Sequence, residues 1–336
     1  MDAIVLVGGL GTRLRPLTLT RHKSLVPVLG RAAIEYLFDW LERAGFERAV
    51  LAVGRFNDDL ADAYAGGRPG KLTVEVIREQ ERLESGGAIR YAVETANVQG
   101  RFAVLNGDVF VDFDFRAALA QHEARGADLT LALYEVPNPS QYGVAVLDDD
   151  DMVIGFVEKP PAGTEASKLV NAGVWIFEPG LVAQIPPGPV RVEETLFPSL
   201  VGRGRPVLGY TFSGVWADIG TPARYLELTQ TLLARDGLAY FGPGAVVDAR
   251  SQVSASSLGD RTTIEPDAIV TESVLWEDIR VGAGARISRS ILADGVQVGA
   301  GAVLDGAVVG AGAIIPTGLN VKPGTLIEPH STAGAS

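Results

Sequence analysis

Val247, Ile264, Val281, Val298 and Ile315 recur at a constant spacing of seventeen residues in the last third of the chain. The text around three steps is related: Val281-Gly-Ala-Gly-Ala, Val298-Gly-Ala-Gly-Ala and, close by, Val309-Gly-Ala-Gly-Ala. Further apolar residues, such as Ile287, Leu292 and Leu304, fall between them. A hexapeptide-type period of this kind implies three short flat strands per coil, one apolar side chain per strand pointing inward, and small residues at the corners. It predicts a parallel β-helix. A flexible Gly/Ala tail has no reason to hold Val and Ile in phase.

Before about residue 235 the texture is different. Ala3 to Val7 is a short, β-branched, fully apolar run closed by Gly8 and Gly9, which suits a strand buried on both faces. Ala33 to Ala44 carries Ile34, Leu37, Phe38 and Leu41 at helical spacing and stops at Gly45. Ala49 to Val53 and Phe102 to Leu105 read as further buried strands. Strand, helix and strand in this order predict an α/β, Rossmann-like, mixed and mostly parallel sheet, with ligands beyond the carboxyl ends of its strands. With 336 residues the chain can hold two domains, expected at 1–236 and 237–336.

The net charge of −12 makes nucleic acid and anionic membrane surfaces poor partners. A phosphate-bearing ligand must therefore be met by a few placed cations. No cysteine is present, which excludes disulfides, thiolate metal sites and cysteine nucleophiles, and only His22, His122 and His330 could serve a zinc site. No apolar run is long enough to span a bilayer, and the first residues lack a signal-peptide pattern, so a cytoplasmic protein is expected.

Directly after the first strand comes Gly8-Gly9-Leu10-Gly11-Thr12-Arg13-Leu14-Arg15-Pro16-Leu17-Thr18. Glycines there let the backbone approach a polyphosphate and aim N–H groups at it, and Arg13 and Arg15 can add charge-assisted bonds. The loop is neither a Walker A sequence nor the dinucleotide fingerprint. Its spacing resembles the signature of the sugar-1-phosphate nucleotidyltransferases. The resemblance continues through Asn106-Gly107-Asp108, Tyr142-Gly143-Val144, Glu158-Lys159-Pro160, Asn171-Ala172-Gly173 and Trp216-Ala217-Asp218-Ile219-Gly220-Thr221-Pro222. Many members also carry a β-helical tail, which in hexapeptide-repeat domains is left-handed.

The resemblance implies a reaction in which a sugar phosphate attacks the α-phosphorus of a nucleoside triphosphate and pyrophosphate leaves. Such transfer needs alignment and charge neutralisation more than covalent catalysis. It implies Arg13, Lys23, Asp108 and Asp218 as catalytic residues, with both aspartates holding Mg²⁺, a metal suited to hard carboxylates and phosphate oxygens. Nucleotide contacts are expected from Gly8, Gly9, Gly11, Thr12, Arg13, Glu79, Gly86 and Gly87, and sugar-phosphate contacts from Gly143, Glu158, Lys159, Asn171 and Glu193. Lysine is scarce, five residues among 29 cations, yet it occupies both family positions, Lys23 and Lys159. A compact ammonium is not interchangeable with a guanidinium fork. The family usually brackets the first lysine with prolines; here it is His22-Lys23-Ser24.

The base is expected to be read within Arg78 to Ala88. Pyrimidine-specific members use a glutamine, whose position aligns with Glu79. A carboxylate's two acceptors match the adjacent N1–H and N2–H donors of guanine. A slip of one residue, to Gln80, reverses the argument. Asn138 to Val144 and Glu193 to Pro198 also resemble mannose-1-phosphate guanylyltransferases. GTP with mannose-1-phosphate is therefore the expected pair. The alternatives are a UDP- or dTDP-glucose pyrophosphorylase and a regulatory homologue that binds sugar nucleotides without turnover. An acyltransferase carried on the β-helix would need a histidine base, and none lies between His122 and His330. The β-helix is expected to be structural and to support a homo-oligomer.

Overall fold

The computed structural model describes residues 1–55 and 57–334. They form two compact units. One comprises Met1–Gly9 and Tyr36–Trp216; the other comprises Leu10–Glu35 and Ala217 onward. The signature loop downstream of Gly9 thus belongs to the same unit as the repeats, a grouping by contact that differs from the change in sequence texture near residue 236.

The first unit is built on a mixed nine-stranded sheet. Asp2–Val7 lies between Phe102–Asn106 and Arg48–Val53, parallel to both, and Thr73–Arg78 extends the parallel side. The short apolar strands read in the sequence occupy this centre, where Ala3, Ile4, Val5, Val50, Leu51, Val104 and Leu105 are fully buried. A strand covered on both faces cannot alternate apolar with polar residues, hence the continuous runs. On the other side Leu169–Phe177 runs antiparallel to Phe102–Asn106 and also pairs with Leu129–Glu135 and Gly143–Leu147. Glu84–Thr95 turns Ala88, Ile89 and Ala92 into the core, where Trp175, Phe177 and Phe197 pack.

In the second unit the repeat makes a parallel β-helix of three sheets. Val247, Ile264, Val281, Val298 and Ile315 stack in register in one sheet. Val253, Val270, Ile287 and Leu304 stack in a second, and Leu258, Leu275, Leu292 and Val309 in the third. Buried serines link the coils: Ser256, Ser273 and Ser290 each accept a hydrogen bond from the backbone N–H one coil on, at 3.1, 3.1 and 3.0 Å. The third sheet is apolar on both faces. Its outward residues Val274, Ile291 and Val308 are 1%, 2% and 7% exposed. The helix Pro222–Asp236 packs on this sheet, and Gln230 donates to the Ala255 carbonyl at 2.8 Å.

Candidate active site

Within the first unit, the strand Asp2–Val7 ends at Gly8, and Glu79 lies beside that glycine. A Cβ on Gly8 would sit 3.5 Å from Glu79 Oε1. The backbone of Glu79 continues its strand by donating to the Val53 carbonyl at 2.9 Å, and its carboxylate accepts from the Leu83 N–H at 3.3 Å. Glu79 is 4% exposed, whereas neighbouring Gln80 is exposed. Burial pushes the Glu79 carboxyl above the usual range, with a smaller push from the Glu84 charge, against the Leu83 hydrogen bond. Two residues that the sequence reading missed shape this corner. Asn57 donates from its buried side chain to the Val7 carbonyl at 2.8 Å, and a Cβ on Gly54 would meet the Gly8 carbonyl at 2.9 Å.

Gly86 and Gly87 open the helix Glu84–Thr95. A Cβ on Gly86 would lie 2.9 Å from the Val190 carbonyl oxygen and one on Gly87 2.4 Å from that of Gly188. These glycines thus admit another protein segment against the helix. Ser85, also unread in the sequence, donates to Glu193 and accepts from the Val192 N–H at 3.1 Å. Burial raises the Glu193 carboxyl above its usual range, opposed chiefly by the Ser85 hydrogen bond.

Gly143 and Glu158 face each other across paired antiparallel strands. A Cβ on Gly143 would stand 2.5 Å from Phe156 Cζ and 2.8 Å from Glu158 Oε2, so glycine is required here by the protein's own packing. Lys159 follows with a left-handed φ of 47°, which turns its ammonium back to Glu158 Oε1 at 2.6 Å. Asn171 Oδ1 accepts from the Gly173 N–H at 3.0 Å and from Trp175 Nε1 at 2.7 Å. Its amide NH₂ is the end suited to donate to a ligand. Asp108 follows the strand Phe102–Asn106 and Gly107, where a Cβ would lie 2.2 Å from Val7 Cγ1.

In the second unit Gly11 has a φ of 60° and caps the short helix Thr12–Leu14, on which Thr12 and Arg13 are exposed. Thr18 Oγ1 closes the loop onto the Gly11 carbonyl at 2.8 Å, and a Cβ on Gly11 would lie 3.2 Å from Lys23 Cβ. His22 is a buried loop residue whose Nδ1 accepts from the Ser24 N–H at 3.2 Å. Further along, a Cβ on Gly220 would meet Asp218 Oδ2 at 2.5 Å and Arg13 Nη2 at 3.2 Å. The loop arginine and Asp218 therefore border one glycine. Arg224 joins them, donating from Nη1 to both Asp218 oxygens. Its position six residues after Asp218, in the first turn of a helix capped by Thr221, is a signal the sequence held.

Among the described residues no group of three or more His, Cys, Asp or Glu could hold a metal. Asp108 and Asp218 each offer hard carboxylate oxygens, the donor type that magnesium takes.

A glycine-rich loop thus follows the carboxyl end of a buried parallel strand, in an α/β sheet protein that continues into a β-helix. The model of the family described as nucleotidyl transferase matches residues 2–235. The chain belongs to the nucleotidyl transferase family and is a nucleotidyltransferase. Residues 242–324 match the GlmU-like C-terminal hexapeptide, in accord with a left-handed parallel β-helix. A mannose-1-phosphate guanylyltransferase of Mycobacterium tuberculosis is 32% identical over 315 residues, covering 84% of this chain and 82% of that protein. A UTP–glucose-1-phosphate uridylyltransferase of Synechocystis is 28% identical over 331 residues, covering 84% and 85%. The crystal structure of HddC from Yersinia pseudotuberculosis complexed with GMP-PN superposes with a TM-score of 0.59 at 26% identity, covering 69% of this chain and 99% of that one.

Proposed function

We propose that the protein transfers a guanylyl group from GTP to mannose-1-phosphate, forming GDP-mannose and releasing pyrophosphate. The observation that carries the base assignment is the placement of Glu79 beside Gly8, with Gln80 turned outward. A carboxylate there offers two acceptors to the two adjacent donors of guanine. The guanylyltransferase relative and the nucleotide named with the HddC structure support the same reading.

In this reading the N–H groups of Gly8, Gly9, Gly11 and Thr12 and the guanidinium of Arg13 hold the triphosphate. Lys23 neutralises charge at the α-phosphate during transfer. Lys159 binds the phosphate of the sugar. Glu158 and Glu193 accept from sugar hydroxyls and Asn171 donates to one. Gly86 and Gly87 act by letting the base-reading segment pack closely. Asp108 and Asp218 are the protein ligands for Mg²⁺, which supplies positive charge to the phosphate oxygens. The attacking phosphate is already ionised and needs no general base.

No helix among the described residues is long and apolar enough to cross a membrane. Cytoplasmic residence is part of the proposal. So is self-association through the β-helix, whose open ends and flat sheets can pair with a second copy. Light scattering of the purified protein checks the latter, and a monomer at all concentrations defeats it.

The test of activity is pyrophosphate release with Mg²⁺, crossing GTP, UTP, dTTP and ATP with mannose-, glucose- and N-acetylglucosamine-1-phosphate. GTP with mannose-1-phosphate is expected to give the highest kcat/KM. A pyrimidine nucleotide with glucose-1-phosphate at the top overturns the base assignment.

A further inference from the structure

Lys23 lies in a loop whose usual stiffening prolines are missing: His22 and Ser24 flank it. The structure supplies other restraints, and they come from the β-helix. Two residues before Lys23, Arg21 Nη2 donates to Asp294 Oδ2 at 2.8 Å. The same guanidinium lies 5.1 Å from the centre of the Trp276 ring. Both partners are fixed. Asp294 Oδ1 accepts from the Glu277 N–H at 3.2 Å. Trp276 is 1% exposed and donates from Nε1 to the Tyr225 hydroxyl at 3.0 Å. That hydroxyl donates in turn to the carbonyl of Pro27, four residues after Lys23. The lysine loop is therefore gripped on both sides through Trp276, with Tyr225 of the helix Pro222–Asp236 as the bridge. Gly30 is pressed close as well, since a Cβ there would meet the Tyr240 hydroxyl at 2.1 Å.

A guanidinium over an indole face and against a carboxylate is held by both its plane and its charge. A lysine there would keep the charge and lose the planar fit. The carboxylate and the ring come from successive coils, so the grip depends on coil spacing.

We propose that Arg21 is a positioning residue for Lys23, and that Asp294 and Trp276 make the β-helix part of the transfer machinery. This rests on the role given above to Lys23. A charge that must meet a developing phosphate geometry is sensitive to misplacement of about 1 Å, which can cost roughly 100-fold in rate. The grip should therefore appear in kcat and leave substrate binding nearly untouched.

The experiment uses the full-length protein and steady-state pyrophosphate release with the best substrate pair from the panel. Arg21→Ala and the milder Asp294→Asn are each compared with Lys23→Met, together with the Arg21→Ala/Lys23→Met double variant. Thermal unfolding of every variant is measured alongside. The expected result is a fall in kcat of about 10- to 100-fold for Arg21→Ala and a smaller fall for Asp294→Asn. KM for both substrates should stay within about twofold, and the double variant should be no slower than Lys23→Met alone. Unchanged kcat in Arg21→Ala overturns the proposal, whatever Asp294→Asn does. So does a double variant slowed by the full Arg21→Ala factor, or a lower melting temperature with normal turnover per folded molecule. A Lys23→Met variant with normal turnover removes the role of Lys23 itself, and the proposal with it. An inactive Lys23→Met beside a normal Arg21→Ala removes only the proposal.

Discussion

Arg224 Nη1 donates to both carboxylate oxygens of Asp218, at 2.9 and 2.7 Å. Both side chains are largely buried, 20% and 16% exposed. The aspartate proposed as a metal ligand is thus oriented by a cation that the signature motif does not contain. It is held where the start of a capped helix meets the Gly220 corner.

Two substitutions separate the roles of this pair. Asp218→Asn removes the charge that both Arg224 and a metal would use, and should lower kcat by roughly 100- to 1,000-fold. Arg224→Lys keeps the charge but places it on a shorter, freely rotating ammonium without the planar guanidinium. It should lower kcat by about tenfold and shift the Mg²⁺ concentration needed for half-maximal rate. A magnesium titration of both variants checks this; a wild-type profile for Arg224→Lys counts against an orienting role.

Glu79 ties specificity to pH. Burial raises its carboxyl above the usual glutamate range. The carboxylate proposed to meet guanine is therefore lost at a higher pH than for an exposed glutamate, and kcat/KM for GTP should fall as pH drops through that raised value. Glu79→Gln should abolish this limb, lower GTP use and improve UTP or dTTP use. Stability runs in the opposite direction with pH. A folded-state pKa above the unfolded one gives stability that is present below the unfolded pKa and lost as pH rises through the folded value. Glu79→Gln should therefore melt higher than the wild type near neutral pH. Calorimetry and a nucleotide panel across pH check both halves.

Gly143→Ala tests the sugar-side strands. Its Cβ would contact Phe156 and the Glu158 carboxylate at 2.5 and 2.8 Å. Overpacking of this kind costs about 1–3 kcal/mol. A displaced Glu158 should raise KM for the sugar phosphate with little change in that for the nucleotide. Denaturant unfolding and two KM measurements decide it; equal rises in both KM values would contradict the assignment of Glu158.

Ser273→Ala tests the inner ladder of the β-helix. Ser273 Oγ donates to the Thr271 carbonyl at 2.7 Å and accepts from the Ser290 N–H at 3.1 Å. Removing the hydroxyl leaves that buried N–H without an acceptor, at a cost of about 1–3 kcal/mol. Chemical denaturation should show the loss, while Ser331→Ala, whose hydroxyl makes a solvent-exposed bond to the Glu328 carbonyl, should show almost none.

Residues whose meaning is local were legible along the chain. The seventeen-residue period placed Ile264, Val281 and Ile315 inside the coils because one coil is one repeat. Ala33 to Ala44 was readable as a helix from its apolar spacing and the glycine stop. The aspartates and lysines of the motifs stood out because their spacing from glycines and strands is fixed. Arg224 was missed because its partner is chosen by a helix start, and Ser85 because its partner Glu193 lies 108 residues away. Asn57 was missed because its partner is a backbone carbonyl that no pattern of side chains reveals.

The sequence by itself determined the β-helix, the α/β character of the rest and the glycine-rich turn after the first strand, since each is written in a short period or a fixed local spacing. The tertiary structure decided which of Glu79 and Gln80 turns towards Gly8, because a strand alternates its faces and only its neighbours say which face is inside. It also decided that Val274, Ile291 and Val308 are covered although they point outward from their coil. Above all it brought Arg21 to Asp294 and Trp276, across more than 250 residues, through packing that no local pattern encodes.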